Sequence, residues 1–253
     1  MSANAPLALV TGGMRRVGAA IAKRLAMAGY DLALSSHIDG IPQADLAETL
    51  KAQSTHWHGF VADLSDTSNA AKLIADVTAY FGRAPDLLVN NAAIFGQDDW
   101  QEMDANTLGD HFTMNFFAPI LLSQALVAGA LDNSPPAIVH IVDQRIDNPH
   151  IDQVSYTLSK QALAASVRTM AIAFGNRARV NAVAPGLVIV TDDYQAGQAD
   201  RIADMMPLGA LPDVNGVADA VLYLAQAKHV TAQIIYVDGG AHLKSFARDF
   251  VHL

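Results

Sequence analysis

The chain has no cysteine among its 253 residues, which removes disulfides, thiol catalysis and Cys-ligated zinc together. That absence suits a reducing compartment, so a cytoplasmic location is the expectation, and no metal site is assigned. Charged residues make up only 16%, with 16 Lys and Arg against 25 Asp and Glu, a formal net charge of −9. Nucleic acid and anionic membrane surfaces both need clustered basic side chains, so neither is an expected partner. No window is read as approaching the ~18 apolar residues of a membrane span. The stretch Met1–Pro6 lacks basic residues, and the apolar run after it, Leu7–Val10, is too short for a secretory signal. Linkers rich in Pro or Gly, repeats and low-complexity tracts are also missing, so one domain over 1–253 is expected.

What is present is apolar: 51% of the residues, enough for a sizeable core. Short apolar runs alternate with longer amphipathic stretches. The candidate strands are Leu7–Thr11, Leu32–Ser35, Gly59–Ala62, Leu87–Asn90, Ile138–Asp143, Val180–Val183 and Ile234–Val237. Helical patterns between them include Val17–Ala28, Ala44–Ala52, Asn69–Phe81 and Gln153–Phe174. This alternation predicts right-handed βαβ crossovers and a doubly wound parallel sheet of about seven strands, helices on both faces.

The first strand runs into Gly12-Gly13-Met14-Arg15-Arg16-Val17-Gly18 and then a helix. A glycine-rich turn there lets the backbone approach a pyrophosphate at a helix N-terminus, where free N–H groups and the dipole favour anions. The second strand ends Ser35-Ser36-His37, without the acid that would hold a free ribose in an NAD site. Arg15 or Arg16 instead offers a guanidinium fork to a 2′-phosphate, so NADPH is the expected cofactor, with His37 beside it. Asp39 lies close by and speaks for NAD.

Tyr156 and Lys160 stand four apart in a helical pattern and so share a face. A tyrosine titrates near ~10. A lysine ammonium beside it is expected to lower that value, so that the phenol passes a proton at neutral pH.

With these marks the chain resembles the short-chain dehydrogenase/reductase family over nearly its whole length. The marks come in family order: Thr11-Gly12 through Gly18, Asp63-Leu64, Asn90-Asn91-Ala92, Asn115, Tyr156 and Lys160, Pro185-Gly186, and Val237-Asp238-Gly239-Gly240. The resemblance implies a single Rossmann domain with a substrate lid over about 187–207, and commonly a homotetramer. It further implies that Asp63 meets the adenine, that Asn91 and Ala92 line the cofactor cleft, that Lys160 also bonds the nicotinamide ribose, and that Asn115 joins a proton relay.

Two departures narrow the resemblance. The family's usual serine, 13 residues before the tyrosine, is here Asp143, and Arg16 replaces the middle glycine of the phosphate turn. Both resemble the pteridine reductase and dihydromonapterin reductase branch. In that branch the place of Phe95 stacks a pterin, and acidic residues stand where Asp192 and Asp193 do. Reduction of a C=N bond needs a proton at ring nitrogen, which a carboxyl bonded to the tyrosine can relay. Phe95 would add a flat apolar wall. A core role for Phe95 and a capping role for Asp143 are the plain alternatives.

The expected activity is therefore NADPH-dependent reduction of a dihydropterin or dihydrofolate, with Asp143, Tyr156, Lys160 and Asn115 catalytic and Phe95 binding substrate. The alternatives are reduction of a ketone, sugar or 3-oxoacyl substrate, and a non-catalytic NADP-binding regulator, against which intact Tyr156, Lys160 and Asn115 argue. In the nicotinamide segment Val188 lacks a hydroxyl and the expected threonine falls late, at Thr191. Lys244 or Arg248 in the tail 241–253 is expected to reach a neighbouring subunit's site.

Overall fold

The structure, a computed structural model, describes residues 5–130 and 134–253; residues 1–4 and 131–133 lie outside the description. Seven strands form one parallel sheet in the order β3-β2-β1-β4-β5-β6-β7. They are β1 (Leu7–Thr11), β2 (Asp31–Ser36), β3 (Trp57–Val61), β4 (Leu87–Asn90), β5 (Ala137–Ile141), β6 (Arg179–Pro185) and β7 (Ile234–Val237). β1, β4 and β5 are buried throughout, which is why their sequences read as unbroken apolar runs rather than alternating ones.

The helices are α1 (Arg16–Met27), α2 (Ala44–Ala52), α3 (Ser68–Phe81), α4 (Ala105–Phe112), α5 (Ala118–Gly129), α6 (Val154–Phe174), α7 (Gln198–Met205) and α8 (Val214–Gln226). One core packs α1, α2 and α8 on one sheet face, around Ile21, Leu25, Leu46 and Val221. A second packs α3, α5 and α6 on the other, around Leu73, Val77, Leu122 and Leu163. Asp104 caps α4 by accepting from Thr107 N at 2.8 Å, and Asp213 caps α8 by accepting from Gly216 N at 2.8 Å.

The strand order reverses between β1 and β4, so the crevice at their C-terminal ends is where an open α/β sheet takes its ligand. Two expectations shift. The strand expected to end at Asp143 stops at Ile141, and Asp143 starts a short 3₁₀ turn by accepting from Arg145 N at 2.9 Å. And one helical run, Ala105–Gly129, is long and apolar enough to cross a membrane by length and composition, contrary to the sequence reading. It is α4 and α5 joined by a π-turn at Thr113–Phe117, and it lies against α3 and α6.

Candidate active site

The phosphate turn closes on the start of the Asn91-Ala92 segment. Thr11 Oγ1 accepts from Asn91 N and Ala92 N, each at 3.0 Å, while Asn91 Nδ2 donates to Thr11 O at 2.9 Å. Gly18 must be glycine, because a Cβ there would sit 2.0 Å from Gly12 O. Gly12 takes φ +61. So does Arg16, in effect: at φ +53 it holds a left-handed conformation that glycine adopts freely and other residues at a cost of about 1 kcal/mol. Its N–H donates to Gln43 Oε1 at 3.0 Å, which holds the turn from outside.

Along this turn runs a cavity of about 570 Å³, lined by Gly12, Arg15, Arg16, Val17, Gly18, Ser36, His37, Asp39, Leu64, Asn91, Ala92, Phe95, Tyr156 and Gly186 among others. Its size, glycine walls and helix N-terminus fit a dinucleotide. At one end Arg15 pairs with Asp39 at 3.1 Å, so the two residues that argued for opposite cofactors touch. His37 Nδ1 lies 3.3 Å from Asp63, whose carboxyl is held below the usual range by the Ser65 hydroxyl and N–H. Asp63, Pro185, Asn115 and Lys160 do not line this cavity.

At the other end, Tyr156 and Lys160 share the inner face of α6, 7% and 3% exposed. The Tyr156 hydroxyl donates to Asp143 Oδ2 at 2.9 Å. Phe95 sets its ring edge-on to Tyr156, with centroids 4.8 Å apart, and is 57% exposed, so it is a wall of the cavity rather than core. Asp143 both caps and faces the tyrosine.

The electrostatics reverse one expectation. Lys160 Nζ donates to Ile141 O at 2.7 Å and lies 5.8 Å from the Tyr156 ring centroid. Burial, and then the Asp143 carboxylate, push the Tyr156 phenol well above its usual value instead of lowering it. Burial also lowers the Lys160 ammonium to about 8. The phenol therefore keeps its proton at neutral pH.

Asn115 sits on the π-turn, which turns its amide toward the loop after β4. Its Oδ1 accepts from Ile94 N at 2.9 Å, and its Nδ2 donates to Ile94 O and Ser159 Oγ, each at 3.0 Å. It holds the segment that carries Phe95 and makes no bond to Lys160.

A second cavity, about 730 Å³, shares Arg16, Phe95 and Thr191 with the first and adds Asp143, Arg145, Asp193 and Tyr194. Thr191 donates to Asp193 at 2.8 Å. Asp249, Phe250, Val251 and His252 complete the lining, which the sequence reading missed. They stand about a hundred residues from Asp143, and no spacing rule links them. Within this chain, Lys244 Nζ donates to Met205 O at 2.5 Å and Arg248 Nε lies 3.9 Å from Asp152.

The family model described as enoyl-(acyl carrier protein) reductase matches residues 12–242. The chain belongs to the short-chain dehydrogenase/reductase family of NAD(P)-dependent oxidoreductases. It is 30% identical to pteridine reductase 1 of Leishmania tarentolae, covering 96% of this chain and 98% of that one. To a 3-oxoacyl-(acyl-carrier-protein) reductase of Pseudomonas aeruginosa it is 29% identical, covering 96% and 100%. An alternative dihydrofolate reductase 1, FolM, of Brucella suis, solved in complex with NADP, superposes with a TM-score of 0.84 at 30% identity, covering 94% of this chain and 96% of that one.

Proposed function

We propose that this chain reduces a dihydropterin or dihydrofolate with NADPH. The carrying observation is the Asp143 carboxylate at 2.9 Å from the Tyr156 hydroxyl, beside an exposed Phe95 ring. A serine in that position would hold a ketone oxygen; a carboxylate bonded to a protonated phenol suits delivery of a proton to ring nitrogen. Pteridine reductase 1 and FolM among the similar proteins support the reading.

When bound, NADPH supplies the hydride. The residues that would hold it are Gly12, Arg15, Arg16, Gly18, His37, Asn91 and Ala92, with Arg15 and Arg16 facing the extra phosphate. Tyr156 holds the proton at Oη and Asp143 accepts from it, so the two keep one shared proton at the cavity wall. Lys160, still cationic below about pH 8, stabilises the phenolate left after transfer. Phe95 gives the heterocycle an apolar face.

Purified protein should oxidise NADPH on addition of dihydrobiopterin, dihydromonapterin or dihydrofolate. Silence with all three, beside turnover of a ketone, contradicts the proposal. That outcome would favour the second reading, reduction of a 3-oxoacyl or other carbonyl substrate, which the Pseudomonas aeruginosa reductase supports at similar identity.

A further inference from the structure

After β7 the chain folds back along its own surface, and the segment 241–253 ends against the second cavity. Its anchor is a buried ion pair. Arg145 donates to the Asp249 carboxylate and to Gln153 Oε1, with the Arg145 and Asp249 side chains only 5% and 9% exposed. The Asp249 N–H donates to the Asp152 carboxylate at 2.9 Å. From the lid side, buried Gln198 at the start of α7 donates through Nε2 to the carbonyls of Phe250, Val251 and Leu253 at 2.9, 3.1 and 3.0 Å. Phe250 packs with Ile202 and Met206, so lid and segment form one small core of their own.

Arg145 joins this segment to the chemistry. It follows Asp143 by two residues, its backbone N–H donates to Asp143 Oδ1 at 2.9 Å, and its guanidinium lies 6.0 Å from the Phe95 ring centroid. A guanidinium is stable in such a place only with its donors met, and removing Asp249 leaves it unpaired.

We infer that residues 249–252 are specificity-determining walls of the substrate pocket, supplied by the chain's own folded-back segment and held there by Arg145 as a positioning residue. The inference rests on the second cavity being the substrate site. On this inference Val251 and His252, which line the same cavity as Asp143, favour a compact ring over an extended acyl chain.

The test uses Asp249→Ala and Gln198→Leu in the full chain, with whichever substrate the wild type turns over, a dihydropterin or a 3-oxoacyl thioester. KM for a dihydropterin should rise about tenfold or more, the scale of a lost pocket contact, whereas KM for a 3-oxoacyl thioester should fall as the wall loosens. NADPH affinity, read by fluorescence, should stay within about twofold. Hydrogen exchange over 246–253 should accelerate. Arg145→Met combined with Asp249→Leu, an apolar pair in place of the ions, should restore both protection and KM. Fast exchange with unchanged KM overturns the inference, and so does a protected double variant whose KM stays at the single-variant value. Should Asp249→Ala fail to fold, Gln198→Leu carries the same readouts without touching the buried cation. Silence of the wild type with every dihydropterin would remove the pterin reading alone, since the thioester then reports on the wall.

Discussion

Tyr156 is buried, bonded to a carboxylate and raised in pKa, so it enters the reaction already protonated. Tyr156→Phe should lower turnover by about a hundredfold or more while NADPH still binds, read by kinetics beside fluorescence titration. Lys160 titrates at about 8, since burial disfavours its charge. Below that value it is the cation that stabilises a phenolate; above it the charge is gone. The kcat/KM should therefore fall as pH rises through about 8. A pH profile flat from neutrality to well above that point would count against the role. Tyr156 and Lys160 are legible because they stand one helical turn apart amid the family's other marks, and Asp143 because it takes the place of the family's usual serine. The direction of the tyrosine shift was not legible. It depends on Lys160 turning its ammonium to the Ile141 carbonyl, and helical spacing says nothing of that.

At the level of elements, the phosphate turn and β1 were readable from apolar runs and glycine spacing, and α2 and β7 fall where the pattern predicts them. The sequence pattern places β3 late, at Gly59–Ala62 rather than Trp57–Val61, because an edge strand is only partly buried and its His58 breaks the apolar signal. The π-turn that aims Asn115 leaves no mark in the sequence. Arg15 and Asp39, opposed as cofactor signals, form one exposed ion pair that a 2′-phosphate must compete with. Asp39→Asn should free the guanidinium and tighten NADPH by about threefold to tenfold, on the ~1 kcal/mol scale of such pairs. Titration with NADPH and NADH checks this, and unchanged discrimination between them would contradict it.

Across the whole molecule, two cores hold the sheet and a third holds the lid to the folded-back segment. The first two could be read from sequence because their residues recur with helix and strand periods. The third could not, since Ile202 and Met206 meet Ala241 and Phe250 only through the fold. Buried imidazoles give the molecule an acid limit. Burial lowers His140 to about 3 and His150 to about 4. Unfolded, each titrates near ~6.5. Between those values the unfolded chain binds more protons, so stability is full above about 6.5 and declines as pH falls toward 4 and then 3. For His140 alone the loss between pH 6.5 and 5 is about 2 kcal/mol. Urea unfolding at the two pH values measures it, and His140→Asn should remove that share.

The carboxylate of Asp143, in place of a serine beside the Tyr156 phenol, is the central feature of the site. The most direct measurement is the initial rate of NADPH oxidation by wild type and by Asp143→Ser, each with dihydrobiopterin and with a 3-oxoacyl thioester. Wild type should turn over the dihydropterin, and the serine variant should lose about a hundredfold of that rate while its thioester rate holds or rises. A serine variant that reduces dihydrobiopterin as fast as wild type would contradict the account.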